Sequence, residues 1–220
     1  MSRTERPSEV LARQVRAWRE RRKLSAQDLA NRIAEDDGTL DRLAISKIEN
    51  GKRGISLDEW LQLAYALAVP PPLLFLDLAG GGNVAIVPGA EVHPWLAWEW
   101  ATGEEPPVTS SRRVKRVEEF NDAAAYVRVY REERVASEGV HKAQRAIWSA
   151  EYTESPEQLQ AAKAQHVEAL RGLAKVLNEM VERGMNPPGK PREWVELMRN
   201  LDMLKYPEAV EIFEPDDDEV

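Results

Sequence analysis

The side chains that could do covalent or metal chemistry are few and scattered. Cysteine is absent, which removes a thiol nucleophile, a disulfide framework and a zinc finger. Three histidines, His93, His141 and His166, lie far apart, and none stands in an HExxH or triad-like pattern. His166 falls on an apolar helical stripe, where a satisfied core histidine is a simpler reading than a ligand. Gly80-Gly81-Gly82 precedes a β-prone run instead of opening a helix, so it reads as a joint and not as a phosphate cradle. An enzyme is therefore not expected, nor a cofactor or a metal site.

What remains is charge. The chain carries −8 overall, yet Met1–Arg53 holds 13 Lys+Arg against 9 Asp+Glu, net +4, and the rest holds 17 against 29, net −12. A basic head on an acidic body suits an electrostatic contact with nucleic acid confined to one end. The 220 residues, 43% hydrophobic and 31% charged, suit one or two globular domains. No run approaches the ~20 apolar residues of a membrane span, and MSRTERPSE lacks a signal-peptide layout, so a cytoplasmic protein without a membrane partner is expected.

Periodicity and capping residues place the elements. Leu11, Val15 and Trp18 mark an amphipathic helix over Ser8–Lys23, with Arg13, Arg16, Arg19, Arg21, Arg22 and Lys23 around it. Ser25, with Asp28 three residues on, caps a second helix carrying Leu29 and Ile33. AEDDGTLD is turn chemistry, after which Thr39 or Asp41 caps a third helix with Ile45 and Ile48, stopped by Asn50-Gly51. Ser56 and Glu59 form a capping box for a fourth, ended by Pro70-Pro71-Pro72. NVAIVPGAEV reads as a hairpin about a type II turn at Pro88-Gly89, Pro94 opens a short helix with Trp95, Trp98 and Trp100, and EEPPVTSS is a linker. A long helix follows from Val117 to about Ala150. Another starts at Ser155-Pro156-Glu157, with an inner stripe of Leu159, Ala162, His166, Leu170, Leu173, Leu177 and Met180, ended by NPPGKP. Trp194, Leu197, Met198 and Leu201 mark a final helix, and EPDDDEV is an acidic tail.

At this point the N-terminal third is recognisable. AISKIENGKRGISLDEWLQLAYALAV resembles the C-terminal half of the lambda-repressor-like (xenobiotic-response-element, Cro/repressor) helix-turn-helix. LSAQDLANRI resembles the family's second helix and VRAWRERRKL its first. The likeness spans about Leu11 to Val69. It departs from the common spacing in AEDDGTLD, whose extra residues resemble a long-turn variant frequent in actinobacterial regulators. The family lays its third helix in the major groove of double-stranded DNA while the second crosses the backbone. Aligned on IENG, the base-facing positions fall on Arg42, Leu43, Ser46 and Lys47. Arg42 and Lys47 suit guanine, and Leu43 either meets a thymine methyl or belongs to the core. Phosphate contacts are implied for Asn50, Lys52 and Arg53, and for Gln27, which stands beside Ala26 where the family has its usual glutamine. Lys52 and Arg53 have the plainer alternative of a solvated loop. The resemblance also pairs Arg19 with Glu49, fixing the angle of the third helix.

The expected fold is thus mainly α: a helix-turn-helix bundle over 1–79, a joint with a β-hairpin and Trp-rich short helix over 80–110, a helical dimerising or partner-binding region over 111–206, built as an antiparallel hairpin, and an acidic tail over 207–220. The self-cleaving serine–lysine domain of some phage repressors is mostly β, unlike this C-terminal half. The expected function is a dimeric, sequence-specific transcriptional regulator on a palindromic or pseudopalindromic operator. The alternative is an antitoxin or adaptor that uses the same domain mainly to hold a protein partner.

Overall fold

Helices in the N-terminal region begin where a side chain can hold their first free N–H groups. The computed structural model, which describes residues 5–80, 82–87, 89–106, 114–153 and 155–213, gives α1 (Pro7–Arg21), α2 (Ala26–Glu35), α3 (Arg42–Glu49) and α4 (Leu57–Ala66). Ser25 accepts from the Asp28 N–H while Asp28 reaches back to the Ser25 N–H, and Ser56 and Glu59 do the same at α4. Asp41, and not Thr39, caps α3, its Oδ1 accepting from the Ala44 N–H at 2.7 Å.

The helix ends follow another rule. α1, α2, α3 and α4 are each followed by one residue at positive φ, namely Lys23, Asp37, Gly51 and Ala68. At each, the next N–H turns back to a carbonyl of the last turn, as Gly38 does to Ile33 and Val69 to Ala64. α4 is therefore closed at Ala68, before Pro70 is reached; the prolines supply a 3-10 turn, Pro71–Leu74, and not the stop.

Two compact units divide the chain between Val117 and Glu118. In the first, Leu11, Val15, Leu29, Ile33, Leu40, Ile45, Ile48, Leu63 and Leu67 form the core of the four-helix bundle. β1 (Val84–Val87) and β2 (Ala90–Val92) make an antiparallel hairpin, and α5 (Pro94–Ala101) follows. The hairpin and α5 pack with the bundle: Val84, Val92 and Ala97 join Val10 of α1 and Leu76, and Phe75 touches both clusters. The Ala85 N–H also donates to the Glu5 carbonyl at 3.0 Å, and Arg13 of α1 is paired with Asp77 and Glu5. The segment read as a joint is thus continuous with the bundle's packing. Gly89 takes φ 80. Pro88, most of the linker EEPPVTSS and residues 214–220 lie outside the described residues.

The second unit contains α6 (Val114–Tyr152, uninterrupted at Gly139) from Glu118 onward, α7 (Pro156–Glu182) and α8 (Arg192–Asn200). Val129 and Val140 of α6 pack with Leu170, Leu173, Leu177 and Met180 of α7 and with Trp194, Val195 and Met198 of α8. Ile147 and Ala150 near the end of α6 meet Ala162 near the start of α7, which makes the two helices an antiparallel hairpin. The apolar stripe of α7 is consumed inside this unit. α7 closes at Gly184, φ 71, ahead of Pro187. Two short strands, β3 (Lys190–Pro191) and β4 (Ile212–Phe213), pair in parallel. Residues 207–213, read as the start of the tail, include a 3-10 turn, the buried Val210 and β4. Lys190 reaches the buried Glu133 of α6 at 2.6 Å, and Ser137 donates to the same carboxylate oxygen at 2.6 Å.

Candidate nucleic-acid interface

α3 is short and two-faced. Ile45, Ile48 and Glu49 are buried, and their burial turns Arg42, Leu43, Ser46 and Lys47 outward. These four positions stand at i, i+1, i+4 and i+5, which is one side of a helix. Leu43 is 64% exposed, so the core alternative does not hold; Leu40, just ahead of the helix, fills the core instead.

Arg19 holds α3 against α1. Its Nε donates to Glu49 Oε1 at 2.6 Å and its Nη2 to Oε2 at 2.9 Å, a fork-on-carboxylate geometry, while Nη1 donates to the Leu24 carbonyl at 2.8 Å. These bonds to Glu49 hold the Arg19 guanidinium still more firmly protonated than usual, against the opposing effect of burial. Arg16 adds a second hold that the sequence pattern did not reveal: its Nε lies 3.5 Å from Glu49 and its Nη2 donates to Asn50 Oδ1 at 3.0 Å.

The other implied phosphate residues differ in how free they are. Asn50 accepts from Arg16 and donates Nδ2 to the Ser46 carbonyl at 2.7 Å, so its amide is already engaged at both ends. Arg53 is paired with Glu59, the acid of the α4 capping box. That carboxyl is held below its ordinary range, first by the Ser56 N–H and then by Arg53. Lys52 is exposed and has no ion pair among the described residues. Gln27 is exposed on α2 and donates to Asn31 Oδ1 at 2.9 Å.

Much of the basic excess is thereby spent inside the fold. Arg13, Arg16, Arg19 and Arg53 have acidic partners, and Arg22 donates to the Leu67 and Ala68 carbonyls at the end of α4. Arg21 lies over the Trp18 ring at 4.6 Å. The outward cations of α3 are Arg42 and Lys47, with Lys52 just beyond its end.

The long turn shapes the neighbouring surface. Asp37 takes φ 60 and the Gly38 N–H closes on the Ile33 carbonyl; a Cβ on Gly38 would stand 2.4 Å from Ile33 Cγ2. A groove of about 490 Å³ lies between α2 and α3 beside this close, lined by Gln27, Asn31, Ala34, Thr39, Arg42 and Leu43 among others.

His93 Nδ1 accepts from the Trp95 N–H at the start of α5, and His141 meets the Trp194 ring edge-on at 4.5 Å. His166 is buried on α7 as its stripe implied, but its Nε2 has no hydrogen-bond partner among the described residues, so it is not the satisfied core histidine expected.

Residues 10–74 match the family model of a helix-turn-helix domain. No curated protein and no solved structure matches the chain significantly. The bundle, the exposed face of α3 and this match together define a helix-turn-helix domain of the DNA-binding class in the N-terminal unit. No helix among the described residues is long and apolar enough to cross a membrane.

Proposed function

We propose that the protein is a sequence-specific transcriptional regulator of the lambda-repressor-like, xenobiotic-response-element type, cytoplasmic and without catalytic activity. The observation that carries this reading is the outward face Arg42–Leu43–Ser46–Lys47, held at a set angle by Arg19 on Glu49. Arg42 reads a guanine through paired donors, Lys47 reaches N7 or O6 one turn later, and the exposed Leu43 meets a thymine methyl. Lys52, exposed and without an ion pair among the described residues, supplies a cation to the phosphates, with Asn50, Arg53 and the amide face of α2 at Gln27 around it.

A single domain of this kind reads few base pairs against many competing sites, so the regulator acts as a homodimer on a pseudopalindromic operator. The C-terminal region of 111–206 has association as its task, since its acidic balance disfavours lying on DNA. The α7 stripe is already covered within its own unit, so a second copy would use other apolar side chains there, such as Tyr126 and Val135 of α6, 53% and 66% exposed. Selection of bound sites from a random DNA pool tests the reading. Enrichment of one motif supports it, and binding with no sequence preference would return the protein to the adaptor class.

A further inference from the structure

We infer that Asn31 is the amide of α2 that donates to a DNA phosphate, and that Gln27, in place of the phosphate contact given to it above, acts as the positioning residue of Asn31. This rests on the helix-turn-helix reading above and refines it.

Gln27 and Asn31 stand one turn apart on α2 and both are exposed. The Gln27 amide nitrogen donates to Asn31 Oδ1 at 2.9 Å. That bond occupies the Asn31 oxygen, and both Asn31 N–H groups have no partner among the described residues and can donate outward. It also spends one of the two Gln27 donors. An amide that accepts at its oxygen is polarised into a better donor at its nitrogen, so the pair is a short relay ending at Asn31 Nδ2.

Position agrees with chemistry. Asn31 lines the groove of about 490 Å³ whose far wall is Arg42 and Leu43, the leading residues of the recognition face. A helix that crosses the backbone beside a helix in the groove presents such a residue to the phosphate flanking the bases being read. Gly38, Thr39 and Asp41 of the long turn are themselves among the residues that line this groove, so the contact lies beside this chain's own departure from the usual spacing.

The test uses the full-length protein and the operator it selects from a random pool. Asn31→Ala, Asn31→Asp, Gln27→Ala and the double alanine variant are titrated against that operator and its single-base variants. Asn31→Ala weakens every site about tenfold without reordering the preferences, as loss of a donor to a charged phosphate should. Asn31→Asp weakens binding further, because a carboxylate cannot donate and repels phosphate. Gln27→Ala weakens binding less and adds nothing when Asn31 is already alanine, since it acts through Asn31. Unfolding temperatures stay at the wild-type value, both side chains being exposed.

Unchanged affinity in Asn31→Ala, a reordered base preference, or additive effects of the two alanines would overturn the assignment while leaving the helix-turn-helix reading intact. A wild-type protein that enriches no sequence defeats that reading itself, and this assignment with it.

Discussion

Arg42 and Lys47 are exposed on a helix whose opposite side is locked into the core, so a truncation there removes contacts without touching the fold. Arg42→Ala and Lys47→Ala are each expected to lose about 1–3 kcal/mol on the selected operator and to relax preference at one position. A panel of single-base operator variants checks this; mutants that keep the wild-type profile would mean another face reads DNA. Arg19 and Glu49 behave differently, because their side chains are 13% and 4% exposed. Removing either leaves a shielded charge without its fork, at a cost of about 3–5 kcal/mol, while removing both costs less. A double-mutant cycle read by thermal melting should therefore be strongly non-additive, and simple additivity would show that the two do not interact. Arg16, which also reaches Glu49, is kept in place so that the cycle isolates one pair.

His166 supplies the pH dependence at this scale. Burial holds its imidazole below the ordinary value of 6.5, with Glu193 pulling the other way. The folded unit therefore keeps His166 neutral, and the unfolded chain takes up the proton first. Its contribution to stability is complete above pH 6.5 and is lost as the pH falls through the lower folded-state value. Melting of the C-terminal unit should weaken below that pH, and the slope should flatten in His166→Leu. An equal slope in both proteins would place the titrating group elsewhere.

At the scale of elements, the capping side chains divide the helix starts cleanly. Asp41→Ala removes the acceptor for the Ala44 N–H and is expected to cost about 1 kcal/mol, with a looser start to α3 and weaker operator binding. Melting and titration together check it, and full affinity at lowered stability would separate the cap from recognition. Such starts were legible in the sequence because a cap and its helix lie within four residues: Ser25, Ser56 and Ser155 stand where local chemistry placed them, and of the two candidates at α3, Thr39 and Asp41, the structure uses Asp41. The stops were less legible. Lys23, Asp37 and Ala68 take a conformation usually left to glycine, and no local pattern distinguishes them from ordinary helical residues.

What escaped the sequence reading was non-local. The bonds of Arg13 to Asp77 and of Arg22 to Leu67 and Ala68, and the buried Lys190–Glu133 pair, join residues far apart in the chain, and no spacing rule marks them. Two-residue strands such as β3 and β4 are too short to show an alternation. The outward side of α3 was legible in part: the family likeness aligned Arg42, Leu43, Ser46 and Lys47 together, and helical spacing agrees with the structure in setting them opposite the buried Ile45 and Ile48. The groove beside it was not, since Ala34 and Glu35 of the stretch read as turn belong to α2 and the groove depends on how the six residues 36–41 close on Ile33.

On the scale of the whole molecule, basic charge counted along the sequence overstates what DNA would meet. Arg53 is answered by Glu59, whereas Lys52 has no ion pair among the described residues. Lys52→Ala is accordingly expected to lower the salt slope of binding by about one ion, and Arg53→Ala by less, with some loss of α4 stability. Equal slopes for both variants would mean that Arg53 leaves Glu59 when DNA arrives. The division at Val117 and Glu118 gives each unit its own core, and the proposed labour follows that division: one unit reads DNA and the other associates. Light scattering on the full chain is expected to give the mass of a dimer, and a monomer at operator-binding concentrations would remove association from the account.

Selection from a random DNA pool, carried out in parallel on the wild-type chain and on the Arg42→Ala/Lys47→Ala double variant, tests the central claim most directly. The wild type is expected to enrich a single motif of two inverted half-sites with centres about 34–36 Å apart, or a multiple of that. The double variant is expected to lose that motif while keeping weak, salt-sensitive binding. Enrichment of nothing by the wild type, or of the same motif by both proteins, would contradict the claim that this face of α3 reads DNA.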